Sequence, residues 1–127
     1  MRYLSLACAL LWAGTLYYLS DQPGMDIPPL FSHQDKVMHV VAYALLGIFS
    51  MGVLPKSTAG YRPAQLWIVT ALTGVYGLLD EYHQSFIPGR FASLGDVIAD
   101  LAGGFLGALF VYLLARRLAR RNHADDT

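Results

Sequence analysis

Apolar positions along the chain fall into four long runs, over residues of about 3–20, 36–54, 64–86 and 94–115, separated by short polar or breaker-rich segments. Each run holds roughly 17 to 23 residues, enough to cross a hydrocarbon core of about 30 Å at about 1.5 Å rise per residue. None shows the polar face at 3.6-residue spacing that a small soluble bundle needs. The pattern predicts an all-α, integral membrane four-helix bundle, with residues 1–127 as one domain. The first run has only Arg2 as a charge before it and is longer than a signal-peptide core. With no small-x-small site at its end, and with Leu6-Ala7-Cys8 too near the start to be a lipoprotein site, it reads as a retained helix.

Local signals set the boundaries. Residues 21–31 read as a loop, with Gly24 and the Pro28-Pro29 pair as breakers. Ser32-x-x-Asp35 and Ser93-x-x-Asp96 have the spacing of capping boxes and open the second and fourth helices. Pro55 stops the second helix, residues 56–62 form a polar linker, and Pro63 suits the first turn of the third. That helix is expected to run to about Phe86, ahead of a Pro88-Gly89 turn. Gly103-x-x-x-Gly107, Gly104-x-x-x-Ala108 and Thr73-x-x-x-Gly77 are spacings that allow membrane helices to approach closely.

Composition agrees with this picture. The chain is 55% hydrophobic and 14% charged, where soluble domains carry about 25% charged residues. Its nine basic and nine acidic residues cancel, so net charge points to no partner, and nucleic acid is not expected. The lone Cys8 excludes an internal disulfide and a cysteine-based metal motif. With four alternating spans, Arg2, Lys56, Arg62, Arg116, Arg117, Arg120 and Arg121 fall on one side, and Lys36 and Arg90 on the other. The positive-inside rule then predicts a multi-pass protein of a bacterial-type cytoplasmic membrane with both termini in the cytoplasm. The Arg116-Arg117 and Arg120-Arg121 pairs read as topological anchors near membrane lipid.

Two polar segments interrupt the apolar runs, residues 32–43 and 80–104, and both fall on the outer side. Asp35, His39 and Tyr43 are spaced i, i+4, i+8 on one face of the second helix. Asp80, His83 and Gln84 share a face of the third, and Asp96 and Asp100 a face of the fourth. Ionisable groups at membrane depth usually mark a site. His39, Asp80 and Glu81 are the candidates for proton transfer. Lys36, Tyr43, Gln84, Arg90, Asp35, Asp96 and Asp100 are the candidates for binding substrate.

Structural readings stand beside these. Asp35 and Asp96 could serve as caps, His39 as a packed histidine, and Tyr43 as an interfacial aromatic. Asp80 and Glu81 sit in the last turns of a helix, where the dipole disfavours anions, unless ion-paired to Arg90 or Lys36. Arg90 offers a fork suited to phosphate or carboxylate, or a pair for Asp80 or Asp96. His33 and His83 read as solvated, and Trp12 and Trp67 as interfacial or lipid-facing. The histidines and acids lack His-x-x-x-His or Glu-x-x-His spacing, so no metal ligand is assigned; metal binding stays a weak alternative, and the sequence leaves any cofactor open.

The order Asp80-Glu81-x-x-Gln84-x-x-x-Pro88-Gly89-Arg90-x-x-Ser93-x-x-Asp96, preceded by Asp35-Lys36-x-x-His39-x-x-x-Tyr43, resembles the paired motifs of the VanZ-like family of small polytopic membrane proteins. The resemblance spans about residues 35–107. It departs at Asp100, where the family pattern carries asparagine. It implies an integral membrane helical protein of the cell envelope and a link to glycopeptide (teicoplanin) resistance, with no settled activity. Three functions compete: binding or processing of an anionic lipid-linked or peptidoglycan-related substrate, non-catalytic binding or scaffolding, with a glycopeptide among the ligands, and ion-coupled transport. Whether the chain is an enzyme stays open at this level.

Overall fold

The computed structural model describes residues 1–23, 28 and 30–125, without the side chains of His123 and Asp125. The expected breakers Gly24 and Pro29 lie outside the described residues. Four helices follow one another: α1 (Arg2–Ser20), α2 (Gln34–Val53), α3 (Pro63–Gln84) and α4 (Leu94–Asp125). The all-α four-helix bundle is therefore present. Helices α1, α2 and α4 are long and apolar enough to cross a membrane. Helix α3 is less apolar because its inner face carries Thr73, Asp80, Glu81 and Gln84. Its outer face is greasy nonetheless, with Trp67, Ile68, Leu72, Val75, Leu78, Leu79 and Tyr82 all exposed.

Several boundaries differ from the expected ones. The residue ahead of α2 is His33, in the left-handed region at φ 60°, so Ser32 is not its cap. Gln34 Oε1 accepts the Leu30 N–H instead. Helix α3 starts at Pro63 as expected, with Gln65 Oε1 accepting the Arg62 N–H, but ends at Gln84 rather than Phe86. The turn after it is as expected: the Arg90 N–H reaches the Ile87 carbonyl across Pro88-Gly89, with Gly89 at φ 76°. Helix α4 runs ten residues past the expected end at Ala115, to Asp125, because the basic and alanine residues that follow are good helix formers.

The α2–α4 pair forms the axis of the bundle. A Cβ added to Gly103 or Gly107 would collide with the backbone of Val40 or Ala44, and one on Gly104 with the Thr73 side chain. The small-residue spacing thus does what it predicts, letting the α2 and α4 backbones touch. One apolar cluster, Met51, Leu66, Val69 and Ala108, fills the half of the bundle away from the polar segments. A second, Leu16, Tyr43 and Leu46, ties α1 to α2 with Trp12, Ala13 and Tyr76 packed on it.

Helix α1 is held by long polar side chains reaching backbone carbonyls. Arg2 Nε donates to Val53 O (2.9 Å), Trp12 Nε1 to Ala42 O (2.8 Å), and Tyr76 Oη to Ala13 O (2.7 Å). Trp12 is therefore an inter-helix tie rather than a lipid-facing residue, whereas Trp67 is exposed and stacks on Phe105. Arg2, the 56–62 linker and Arg116, which Gly60 packs against, gather at one end. The polar segments lie at the other.

Candidate functional site

Three helices deliver polar side chains to one level. Along α2 the descent is graded: the Asp35 side chain is 61% exposed, that of His39 19%, and Tyr43 2%. That is the gradient expected of residues four apart on a helix face entering a packed interior. Facing them, α3 buries Asp80, Glu81 and Gln84, and α4 buries Asp96 and Asp100.

Two contacts stitch α2 to α4. Lys36 Nζ donates to Asp96 Oδ1 at 2.8 Å and to Asp35 Oδ2 at 3.1 Å. One turn deeper, His39 Nδ1 lies 2.8 Å from Asp100 Oδ1. An ionised Asp100 carboxylate would accept a hydrogen from Nδ1, whereas the opposite tautomer would leave Nδ1 as the acceptor of a protonated Asp100. Asp100 is fully buried, and its second oxygen, Oδ2, has no hydrogen-bond partner among the described residues. Gly77 on α3 makes room for it: a Cβ there would sit 2.5 Å from that oxygen.

Helix α3 joins through Glu81. Its Oε2 accepts the Ser93 N–H at 2.7 Å, while its buried Oε1 has no partner among the described residues. In a capping box the fourth residue's own carboxylate would accept that N–H. Here Glu81 takes the place of Asp96 at the head of α4, which releases Asp96 to meet Lys36. Asp80 is buried next to Gln84, whose Nε2 donates to Asp80 Oδ2 at 3.3 Å. No ion pair joins Asp80 to Arg90 or Lys36 among the described residues.

The remaining candidates stand apart. Arg90 reaches α1: its Nε donates to Gln22 O (3.1 Å) and its Nη2 to Leu19 O (2.9 Å). A cation over the last carbonyls of a helix is favoured by the dipole and satisfies orphan acceptors. Tyr43 lies below the layer in the apolar cluster with Leu16 and Leu46, its hydroxyl buried without a partner among the described residues. His83, expected to share the Asp80 face and to be solvated, turns instead toward α1. It lies 3.0 Å from Asp21 Oδ1 and stacks on Tyr17.

The layer is thus a packed knot of Lys36, His39, Asp80, Glu81, Gln84, Asp96 and Asp100, open to solvent at Lys36 and Asp35. A recess lined by Arg2, Tyr3, Leu6 and Val53 lies at the opposite end of the bundle. Within the knot, His39, Glu81 and Asp96 each offer a donor atom within 4.8 Å of the other two. No local motif announced this trio, because its members come from three different helices. Chemically the knot offers an orientable imidazole, a partly exposed ammonium and an excess of carboxylates.

The chain matches the VanZ/LLP1 family over residues 6–115. No curated protein and no solved structure matches it. The match takes in most of α1, all of α2 and α3, α4 as far as Ala115, and both motif segments that meet in the polar layer. The chain belongs to the VanZ/LLP1 family.

Proposed function

We propose that this protein binds and processes a lipid-linked, anionic substrate of the cell envelope at the outer face of the cytoplasmic membrane. The greasy outer face of α3 and the gathering of Arg2, Lys56, Arg62 and Arg116 at one end support four crossings with both termini in the cytoplasm. The polar layer then lies in the outer leaflet, where headgroups of polyprenyl-phosphate or peptidoglycan-precursor type are presented.

The observation that carries this reading is the pairing of Lys36 and His39 with Asp96 and Asp100 beside Glu81. Lys36 is the cation at the mouth of the layer and contacts the phosphate or carboxylate, exchanging Asp96 for it. His39, oriented by Asp100, moves a proton through its Nε2, with Asp80 and Glu81 as the basic groups behind it. Arg90 positions α1 beside the mouth rather than touching the headgroup. Below the layer the interior is closed by Met51, Leu66, Val69 and Ala108, which favours a surface site over an ion path. Through the family resemblance, the reading extends to glycopeptide (teicoplanin) resistance as the phenotype of altered envelope precursors.

The test uses the full chain in lipid nanodiscs with a fluorescent polyprenyl-linked precursor. Binding and conversion by the wild type, conversion lost in His39→Ala, and binding weakened in Lys36→Ala are expected. Binding without conversion supports the non-catalytic alternative. No binding at all refutes both.

A further inference from the structure

Four carboxylates, those of Asp80, Glu81, Asp96 and Asp100, are buried in the polar layer. Among the described residues, the basic groups facing them from the packed helices are Lys36, His39 and, beside Asp80, His83. Burying anionic groups without compensation is costly, and proteins meet the cost with paired cations or bound metal. Lys36 takes one oxygen of Asp96 and leaves the other. Glu81 Oε1 is buried with no hydrogen-bond partner among the described residues, although its twin oxygen is well bonded. Such an atom in an otherwise satisfied side chain points to something that is not protein.

We propose that His39, Glu81 and Asp96 bind one divalent cation. Their donor atoms lie within 4.8 Å of one another, a spread that one ion contacting all three can span with small adjustment. One imidazole and two carboxylates form a mixed nitrogen–oxygen set of the kind that zinc takes, with open positions left for water or ligand. The surroundings are those of a metal site. Asp100 lies against His39 Nδ1 at 2.8 Å and fixes the ring, as carboxylates do behind metal-binding histidines. The Ser93 N–H fixes Glu81 through Oε2 and leaves Oε1 for the ion. The sequence spacing conceals the set, since positions 39, 81 and 96 are far apart in the chain. With the cation bound, His39 and Glu81 act as ligands rather than proton carriers, so the proton transfer proposed above falls to Asp80, while headgroup binding at Lys36 is unaffected.

The test is calorimetric titration of the detergent-solubilised, metal-stripped full chain with zinc alone. One zinc per chain is expected. His39→Gln, Glu81→Gln and Asp96→Asn are each expected to weaken binding at least tenfold. Asp100→Asn, which removes the carboxylate behind His39, is expected to weaken it about 10- to 100-fold. Asp21→Asn, whose partner is His83 at the α1 end, serves as the control with unchanged affinity. X-ray absorption of zinc bound to the wild type is expected to show a single imidazole among oxygen donors, a readout independent of how the variants fold. Absence of zinc binding, wild-type affinity in any of the three ligand variants, or an imidazole count other than one overturns the proposal. Loss of precursor processing with zinc binding intact counts against the proposed function and leaves the metal site standing.

Discussion

Replacing Gly47 by alanine tests whether the contact between α2 and α4 sets the geometry of the site. The new methyl would lie 2.5 Å from Gly104 O and 3.2 Å from Ala108 N. An ordinary carbon–oxygen contact is about 3.5 Å, so the helices must part by roughly 1 Å. Both obstacles are helix backbone, which no rotamer change can move aside. A gap of that size removes about a third of each dispersion well. Over the roughly 50 contacts of one large buried side chain at about 0.15 kcal/mol each, the loss is about 2.5 kcal/mol. Alanine recovers about 1 kcal/mol of helix propensity, leaving a net destabilisation of about 1.5 kcal/mol. At Gly14 a Cβ meets nothing within 4 Å, so Gly14→Ala keeps only the gain of about 1 kcal/mol. The two substitutions, identical in chemistry, therefore have opposite signs and differ by about 2.5 kcal/mol. Titration with sodium dodecyl sulfate in mixed micelles, followed by far-ultraviolet circular dichroism, measures both. A Gly47→Ala protein at least as stable as the wild type refutes the reasoning.

Other outcomes follow from the polar contacts. Glu81→Ala strips the Ser93 N–H of a charged acceptor, costs about 1.5–3 kcal/mol, and speeds hydrogen exchange in the first turn of α4; Glu81→Gln, which keeps an oxygen there, shows a smaller change. Arg90→Ala frees the carbonyls of Leu19 and Gln22, destabilises the end of α1 by about 1 kcal/mol, and increases proteolysis around residues 20–23. Arg90→Lys rescues this only in part, because one ammonium does not reproduce the two-point fork. Lys36→Met leaves Asp96 buried without its cation, so the double variant Lys36→Met/Asp96→Asn is more stable than the sum of the single changes predicts; strict additivity in a double-mutant cycle argues against the pair.

Much of the fold is legible in the apolar runs, because length and hydropathy dictate a membrane helix almost without regard to its neighbours. The start of α3 at Pro63 and the turn at Pro88-Gly89 are equally local and equally readable. Misread boundaries have a common cause: a local rule outcompeted by a distant partner. Ser93 and Asp96 have capping-box spacing, yet Glu81, twelve residues before Ser93, takes the serine N–H. Trp12 has the composition of an interfacial residue, but a carbonyl thirty residues away accepts its indole N–H. For the site, helical spacing places His39, Asp80, Glu81, Asp96 and Asp100 within the outer turns of their helices. It cannot say which side chain faces which, and the Lys36–Asp96 and His39–Asp100 contacts join positions 60 and 61 residues apart. The trio of donor atoms was hidden for the same reason.

The ties that fasten α1 share a direction: each has a side chain giving a hydrogen and a main-chain carbonyl receiving it. Every residue has a carbonyl, so the identity of the receiving residue is of little consequence. In a saturation mutagenesis experiment, Val53, Ala42, Ala13 and Leu19 should accept many replacements as far as these bonds are concerned. Trp12, Tyr76 and Arg90 should accept few. The tolerance of this first helix to change is thus written largely in donors, two of them lying outside it.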